Sequence, residues 1–361
     1  HAGMINMEGI FKNHNKDEFE IIGFYYGDIK KDETHHRIKK NFNKFFYVND
    51  LDDEEILNLS LENKIDIAIY RAGLTVNARS SIFSKKIAPI QVNFLGYQGT
   101  TGQEGIDYIV ADEYVIPKNQ ENFYTENIIY LPGSYFPRDN NRIIGKKKFT
   151  RNELKISENS FVFCNFNNSY KITLEEFEIW MKLLQKIDNS ILLLLETNDE
   201  MKKNLHFEAE KFKINDDRIV FLKKTIFEDH LSRHYLADLF LDTFNYNAHT
   251  TAVDALWTGL PIITKPGNSF SSRVCGSLLK FFDLDELILK NKDEYYNKAL
   301  ELAENPHKLK AIKNKIVKHR DSNKHFDPKN YTLNLEKAYK KIHSMRVNEN
   351  KFENIHIKDI E

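Results

Sequence analysis

Apolar residues in this chain gather in short runs, and the stretches between them repeat at helical spacing. In the first half Phe19–Tyr26 (FEIIGFYY), Ile65–Tyr70 (IDIAIY), Ile90–Leu95 (IQVNFL), Tyr108–Ala111 and Ile128–Leu131 have the character of buried strands. A basic helix is expected from Thr34 to about Phe46, and the acids of Leu51–Glu55 (LDDEE) suit the positive end of a helix dipole.

The second half alternates more regularly. Strands are expected at Phe161–Phe166, Ile191–Leu195, Arg218–Leu222 and Leu239–Thr243. Between them, Phe177, Trp180, Leu184 and Ile187 form one core-facing helical stripe, and helices are expected around Met201–Phe212 and Asp229–Ala237. Strands alternating with helices of this length predict a parallel sheet with crossover helices. The chain thus reads as α/β with two Rossmann-like domains, residues 1–140 and 161–345, joined by a polar linker over 141–160. Helical patterns at Glu294–Ala303 and Tyr331–Met345 close the second domain, and residues 346–361 are expected to be a loose polar tail.

Composition narrows the classes. The 361 residues are 41% hydrophobic and 29% charged, ordinary for a soluble globular protein with two cores. A net charge of −1 gives no global attraction to nucleic acid or anionic membranes, so anion binding must be local. Two cysteines, Cys164 and Cys275, argue against a disulfide scaffold and fit a reducing, cytoplasmic setting. No apolar run approaches the roughly 20 residues of a membrane helix. The thirteen histidines show no metal-ligand spacing.

Candidate chemistry lies at three strand ends of the second half. Asp238–Gly267 (DLFLDTFNYNAHTTAVDALWTGLPIITKPG) reads as strand, polar loop, a helix opening at His249-Thr250-Thr251, then a short strand. The free N–H groups and dipole of such a helix start favour an anion. Asp254 lies one turn further in, where it can reach a sugar hydroxyl. After Phe166 comes Asn167-Asn168-Ser169-Tyr170-Lys171, and after Leu222 comes a loop leading to His230 and Arg233. All three loops should open on one sheet edge, where Lys171, His230, Arg233, Thr250 and Thr251 can converge on a nucleotide. Taken singly, these residues admit plainer readings. Lys171 could be solvated, Thr250 and Thr251 could only cap their helix, and His249 could be a core histidine. His230 and Arg233 could be an exposed helix face, and Asp254 could simply pair with a neighbour.

Three motifs, in order, also carry a resemblance. Ala88–Gly102 (APIQVNFLGYQGTTG), Cys164–Lys171 (CNFNNSYK) and Leu236–Thr264 (LADLFLDTFNYNAHTTAVDALWTGLPIIT) resemble the catalytic region of protein O-GlcNAc transferases and SPINDLY-type glycosyltransferases. The resemblance runs from His1 to about Met345. It implies a GT-B fold with the two domains facing across a cleft, a nucleotide-sugar donor (UDP-GlcNAc first), a Ser/Thr protein or peptide acceptor, inversion, and no metal or other cofactor. By the same resemblance Lys171 neutralises the departing diphosphate, and His249, Thr250 and Thr251 flank it. Asp254 holds the ribose, while Asn168, His230 and Arg233 lie near the base. Leu95, Gly96, Gly99 and Thr100 form the loop on the sugar and acceptor side, and His1 matches a histidine considered as a general base.

The family's preceding strand and tetratricopeptide array are not in this sequence, so the resemblance is to a catalytic region alone. Asn168 stands where glutamine is common, and Phe227 where lysine is expected, which bears on donor identity. GDP-fucose, UDP-glucose or an asparagine acceptor fit the same fold, and a non-catalytic nucleotide-sugar-binding module or an epimerase-like enzyme are further alternatives.

Overall fold

A computed structural model describes residues 2–27, 33–322 and 324–359. The chain begins with helix α1 (Ala2–Asn13), then alternates β1 (Ile22–Tyr25), α2 (Glu33–Lys39), β2 (Lys44–Tyr47), α3 (Asp53–Glu62), β3 (Ile67–Tyr70) and α4 (Ser80–Ser84). Strands β4 (Ile90–Asn93), β5 (Tyr108–Ala111) and β6 (Asn127–Tyr130) follow without intervening α-helices. Helix α3 starts where the acids predict: Asp52 accepts from the N–H groups of Glu54 and Glu55, both at 2.8 Å, and Glu55 reaches back to the Asp52 N–H.

The expected helix to Phe46 stops instead at Lys39. Asn41-Phe42-Asn43 turns the chain, and Lys44-Phe45-Phe46-Tyr47 pairs in parallel with β1. Consecutive aromatic residues favour the pleated, half-buried surface of a strand over a helix.

The second series runs β7 (Phe161–Asn165), α5 (Leu174–Lys186), β8 (Ser190–Leu195), α6 (Asp199–Glu210), β9 (Ile219–Leu222), α7 (Phe227–Arg233), β10 (Leu239–Leu241), α8 (Thr250–Thr258), β11 (Ile262–Ile263), α9 (Val274–Phe281), α10 (Lys292–Glu304) and α11 (Pro306–Asp321). Its sheet has the order β11-β10-β7-β8-β9, parallel throughout. The chain leaves β7 toward β8 and β9, then returns to place β10 on the other side of β7. The topological switch point therefore lies between β7 and β10, where ligands of open α/β sheets bind.

Helix α12 (Pro328–Glu349) and strand β12 (Ile355–His356) belong elsewhere. The chain forms two compact units, one of residues 1–140 with 327–361 and the other of residues 141–326. This corrects the expectation that Tyr331–Met345 closes the second domain and that the tail is loose. Helix α12 packs on α1, where the buried Glu336 accepts from His14 Nδ1 at 3.0 Å and from the Asn15 N–H at 2.7 Å. A methyl at Gly9 would lie 2.7 Å from Pro328 Cβ, so the helices meet closely at a glycine. Strand β12 adds in parallel to β6, completing the sheet β12-β6-β5-β4-β3. The expected linker is no free connection either. Arg142 and Ile156 are buried in the second unit, and Arg151 donates to the carbonyls of Leu236, Glu158 and Ser160.

Candidate nucleotide site at the switch point

Strands β7, β9 and β10 end at Asn165, Leu222 and Leu241, so their following loops open on one edge of the sheet. The loops after β7 and β10 are stitched together directly. Asn165 Nδ2 donates to the Leu241 carbonyl at 2.6 Å, and Thr251 Oγ1 donates to Asn167 Oδ1 at 2.5 Å. Asn167 Nδ2 reaches Asp242 Oδ1 at 3.2 Å and Thr243 Oγ1 at 3.0 Å.

Asp242 organises the loop before α8. Its buried carboxylate accepts from the N–H groups of Thr243 (2.8 Å) and Ala248 (2.7 Å) through Oδ1, and from Thr264 Oγ1 (2.7 Å) through Oδ2. Tyr295 of α10 supports the same point by donating to the Asp242 carbonyl at 2.9 Å. Burial pushes Asp242 up from the usual carboxylate range, and Thr264, the Ala248 N–H, Lys171 and the Thr243 N–H pull it back.

Lys171 follows β7, and a capping box formed by Thr173 and the buried Glu176 starts α5 two residues later. The Lys171 ammonium lies 3.8 Å from the centre of the Tyr246 ring and donates to the Asn247 carbonyl at 2.9 Å. Among the described residues no carboxylate pairs with it. Burial lowers its pKa to about 8, against the raising influence of Asp242. Helix α8 begins beside it with no side-chain cap at His249, and ends at Gly259, whose φ of +82° is the left-handed geometry glycine allows. The His249 ring is buried, its Nε2 donates to the Ser271 carbonyl at 3.0 Å, and burial beside Lys171 holds it neutral. The resulting corner holds one cation, a helix N-terminus and the half-buried Thr250 and Thr251.

The remaining predicted residues take varied places. His230 packs edge-on against Phe166 at 5.5 Å, and burial with Arg233 nearby lowers its pKa to about 4. Arg233 donates to the Lys223 carbonyl at 2.5 Å and lies over Phe149, so its guanidinium supports the loop after β9. Asp254 is buried and paired with Arg142, which also lies 5.8 Å from the Phe227 ring centre. Asn168 is exposed. His1 lies outside the described residues.

In the first unit Leu95 adopts φ +72°, Gly96 packs against the Arg71 carbonyl, and the Gly99 carbonyl accepts from Asn93 Nδ2 at 3.1 Å. Thr100 Oγ1 donates to Glu126 at 2.6 Å, and Glu126 also takes the Thr101 N–H and hydroxyl.

The sequence places Asn167 in the candidate loop without a role, and it does not single out Arg142 or Asp242. An acid directly after the apolar run Leu239–Leu241 was the available signal for Asp242. Arg142 gave none, because it sits in a charged stretch.

Comparison with known proteins fits this arrangement. A family model described as glycosyl transferase family 41 matches residues 1–149 and 148–335. The chain belongs to that family. It is 33% identical over 344 residues to the Arabidopsis thaliana protein named "Probable UDP-N-acetylglucosamine–peptide N-acetylglucosaminyltransferase SEC", covering 93% of this chain and 35% of that protein. It is 25% identical to a SPINDLY protein of Solanum lycopersicum, covering 95% of this chain and 37% of the relative. The solved O-GlcNAc transferase of Thermobaculum terrenum superposes with a TM-score of 0.87 at 25% identity, covering 95% of this chain and 65% of that one. The family 41 resemblance of the motifs and the α/β, GT-B class of the fold are thereby shown. The chain spans about a third of the length of the curated relatives it matches. Among the described residues no helix is long and apolar enough to cross a membrane.

The fold also brings together residues whose spacing gave no sign of it. Side-chain ligand atoms of Asp283, His319 and His325 lie within 4.8 Å of one another, a grouping that the sequence spacing of the histidines does not show.

Proposed function

We propose that this chain carries out inverting, metal-independent transfer of GlcNAc from UDP-GlcNAc to Ser or Thr of a protein acceptor. The observation that carries the reading is Lys171: a half-buried ammonium met by a carbonyl and a ring face, with no carboxylate paired to it among the described residues. Such a cation is under-satisfied until an anion arrives.

In the proposed reaction the acceptor hydroxyl oxygen bonds to the anomeric carbon on the face opposite the diphosphate. The bond from that carbon to the β-phosphate oxygen breaks, and both its electrons leave with UDP. The hydroxyl proton passes to a base or to water. Charge develops on the departing phosphate, where Lys171 and the N-terminus of α8 supply fixed positive charge. A divalent cation serves this purpose in other transferases, and the fixed donors here support a reaction without one. Thr250 and Thr251 line the same corner, and in this reading the Thr251 hydroxyl turns from Asn167 to the phosphate while the Asp254 carboxylate turns from Arg142 to the ribose. Homologue names support a UDP-sugar donor and a peptide acceptor.

The test is Lys171→Ala in a transfer assay with UDP-GlcNAc and a Ser/Thr peptide library. Loss of about a hundredfold or more in kcat is expected, with the fold retained in a cooperative thermal melt. Near-parental turnover would remove the phosphate assignment, and release of product only from GDP-fucose or UDP-glucose would reassign the donor.

A further inference from the structure

We propose that Asp283, His319 and His325 form a structural divalent-metal site of the zinc class, separate from the nucleotide corner. Asp283 follows α9, His319 lies in the last turn of α11, and His325 lies in the loop just before the chain leaves the second unit at Phe326. None of the three belongs to the loops after β7, β9 or β10.

The geometry is that of a site open by a small margin. Two imidazoles and a carboxylate are a common zinc donor set, with metal–ligand distances of about 2.0–2.2 Å and a fourth position left for water. A tetrahedron of that size puts ligand atoms about 3.3 Å apart. Here they all lie within 4.8 Å, so closure needs side-chain motion of about an ångström. The two ligands that must move are the ones able to. Asp283 is exposed and His319 half-buried, and among the described residues neither the carboxylate nor the imidazole makes a hydrogen bond. His325 is the fixed member. It is 4% exposed and packed against Phe281 and Phe282, with ring centres 5.1 Å and 4.8 Å away. The two imidazoles stand nearly perpendicular, at 85°, with centres 4.5 Å apart.

Lys315, Lys318 and Lys324 stand close enough to His319 to repel a dication, although Lys315 is engaged with Glu286 and the Asp283 carbonyl. Bound metal would tie the end of α11 and the loop after it to the end of α9, fastening the last segment of the second unit.

The test uses the whole chain, stripped with chelator and titrated with Zn²⁺ and with Co²⁺. A saturable site is expected, with the visible absorption of tetrahedral Co²⁺ and a raised melting temperature in Zn²⁺. His319→Gln and Asp283→Asn should each weaken binding by at least about tenfold. Both leave the buried His325 in place, and Asn tolerates the +53° φ of position 283, so the fold should persist. Binding unchanged in both variants would assign the metal to other histidines and overturn the proposal. So would the absence of saturable binding below about 1 mM.

Discussion

Arg142 and Asp254 form a buried ion pair that joins the segment before β7 to the middle of α8. Their side chains are 1% and 4% exposed, and Trp257 donates to the Arg142 carbonyl at 2.9 Å, so both partners are fixed by the same helix. Burial pushes Asp254 up to about 6 even with Arg142 pulling it down. Because this folded pKa is raised above that of an ordinary aspartate, the carboxylate weakens the fold most above pH 6. That penalty fades as the pH falls toward the unfolded value. Removing the arginine leaves the charge without its partner. Arg142→Met is therefore expected to cost about 3–5 kcal/mol at pH 8 and clearly less at pH 5, where Asp254 protonates. Urea unfolding at the two pH values measures this, and an equal loss at both would mean that the pair is not ionised.

Lys171 gives the opposite pH signature in binding. Its folded pKa, lowered to about 8 from 10.5, means the buried charge opposes folding below pH 8, and the penalty disappears as the pH rises toward 10.5. Anion affinity needs the charged form, so UDP affinity should fall as the pH rises through about 8. Lys171→Arg should remove that step by keeping its charge, and Lys171→Met should bind weakly at every pH. Calorimetric titration with UDP between about pH 6.5 and 9.5 distinguishes the three curves.

Asp242 supports the site without itself being offered to a ligand. Asp242→Ala would leave the N–H groups of Thr243 and Ala248 and the Thr264 hydroxyl without their acceptor. Each buried orphan costs about 1–3 kcal/mol, so a loss of about 3–9 kcal/mol is expected. Asp242→Asn keeps one oxygen and can donate to the Thr264 hydroxyl, so its loss should be about 1–2 kcal/mol. Similar melting temperatures for the two variants would show that the carboxylate does not hold the loop.

Two glycines of the first unit should respond very differently to the same methyl group. A Cβ on Gly96 would lie 1.4 Å from the Arg71 carbonyl oxygen, a backbone atom that cannot step aside. Gly102 has nothing within 4 Å of its Cβ position and only its φ of +65° to oppose alanine. Gly102→Ala is expected to cost about 1–2 kcal/mol, and Gly96→Ala more than about 4 or no folded protein at all. Thermal melts of the pair decide it.

What was legible in the sequence followed from local signals. Tyr108–Ala111 is an unbroken apolar run and Phe161–Phe166 is apolar except for Asn165, and their strands fall almost where the runs do. Lys171 and the start of α8 were visible because strand ends in a parallel sheet share one edge. The misses have a common cause in long-range pairing. Arg142 reads as one more charge in a polar stretch until α8 supplies Asp254, 112 residues later. Glu336 reads as surface until His14 meets it, and Ile355-His356 is too short to predict a strand without β6 beside it. His319 and His325 likewise acquire chemistry only through Asp283.

The return of the C-terminal segment to the first unit also sets an order of assembly. The second unit is one uninterrupted stretch of chain, with all its strands present once Phe326 has been made. The first unit must wait: the Ile128 N–H finds its acceptor on Asn354, 226 residues downstream, and β6 stays an open edge until Ile355 arrives. On the ribosome, the half made first is the half finished last, and its bare strand edge is the surface most in need of protection during synthesis.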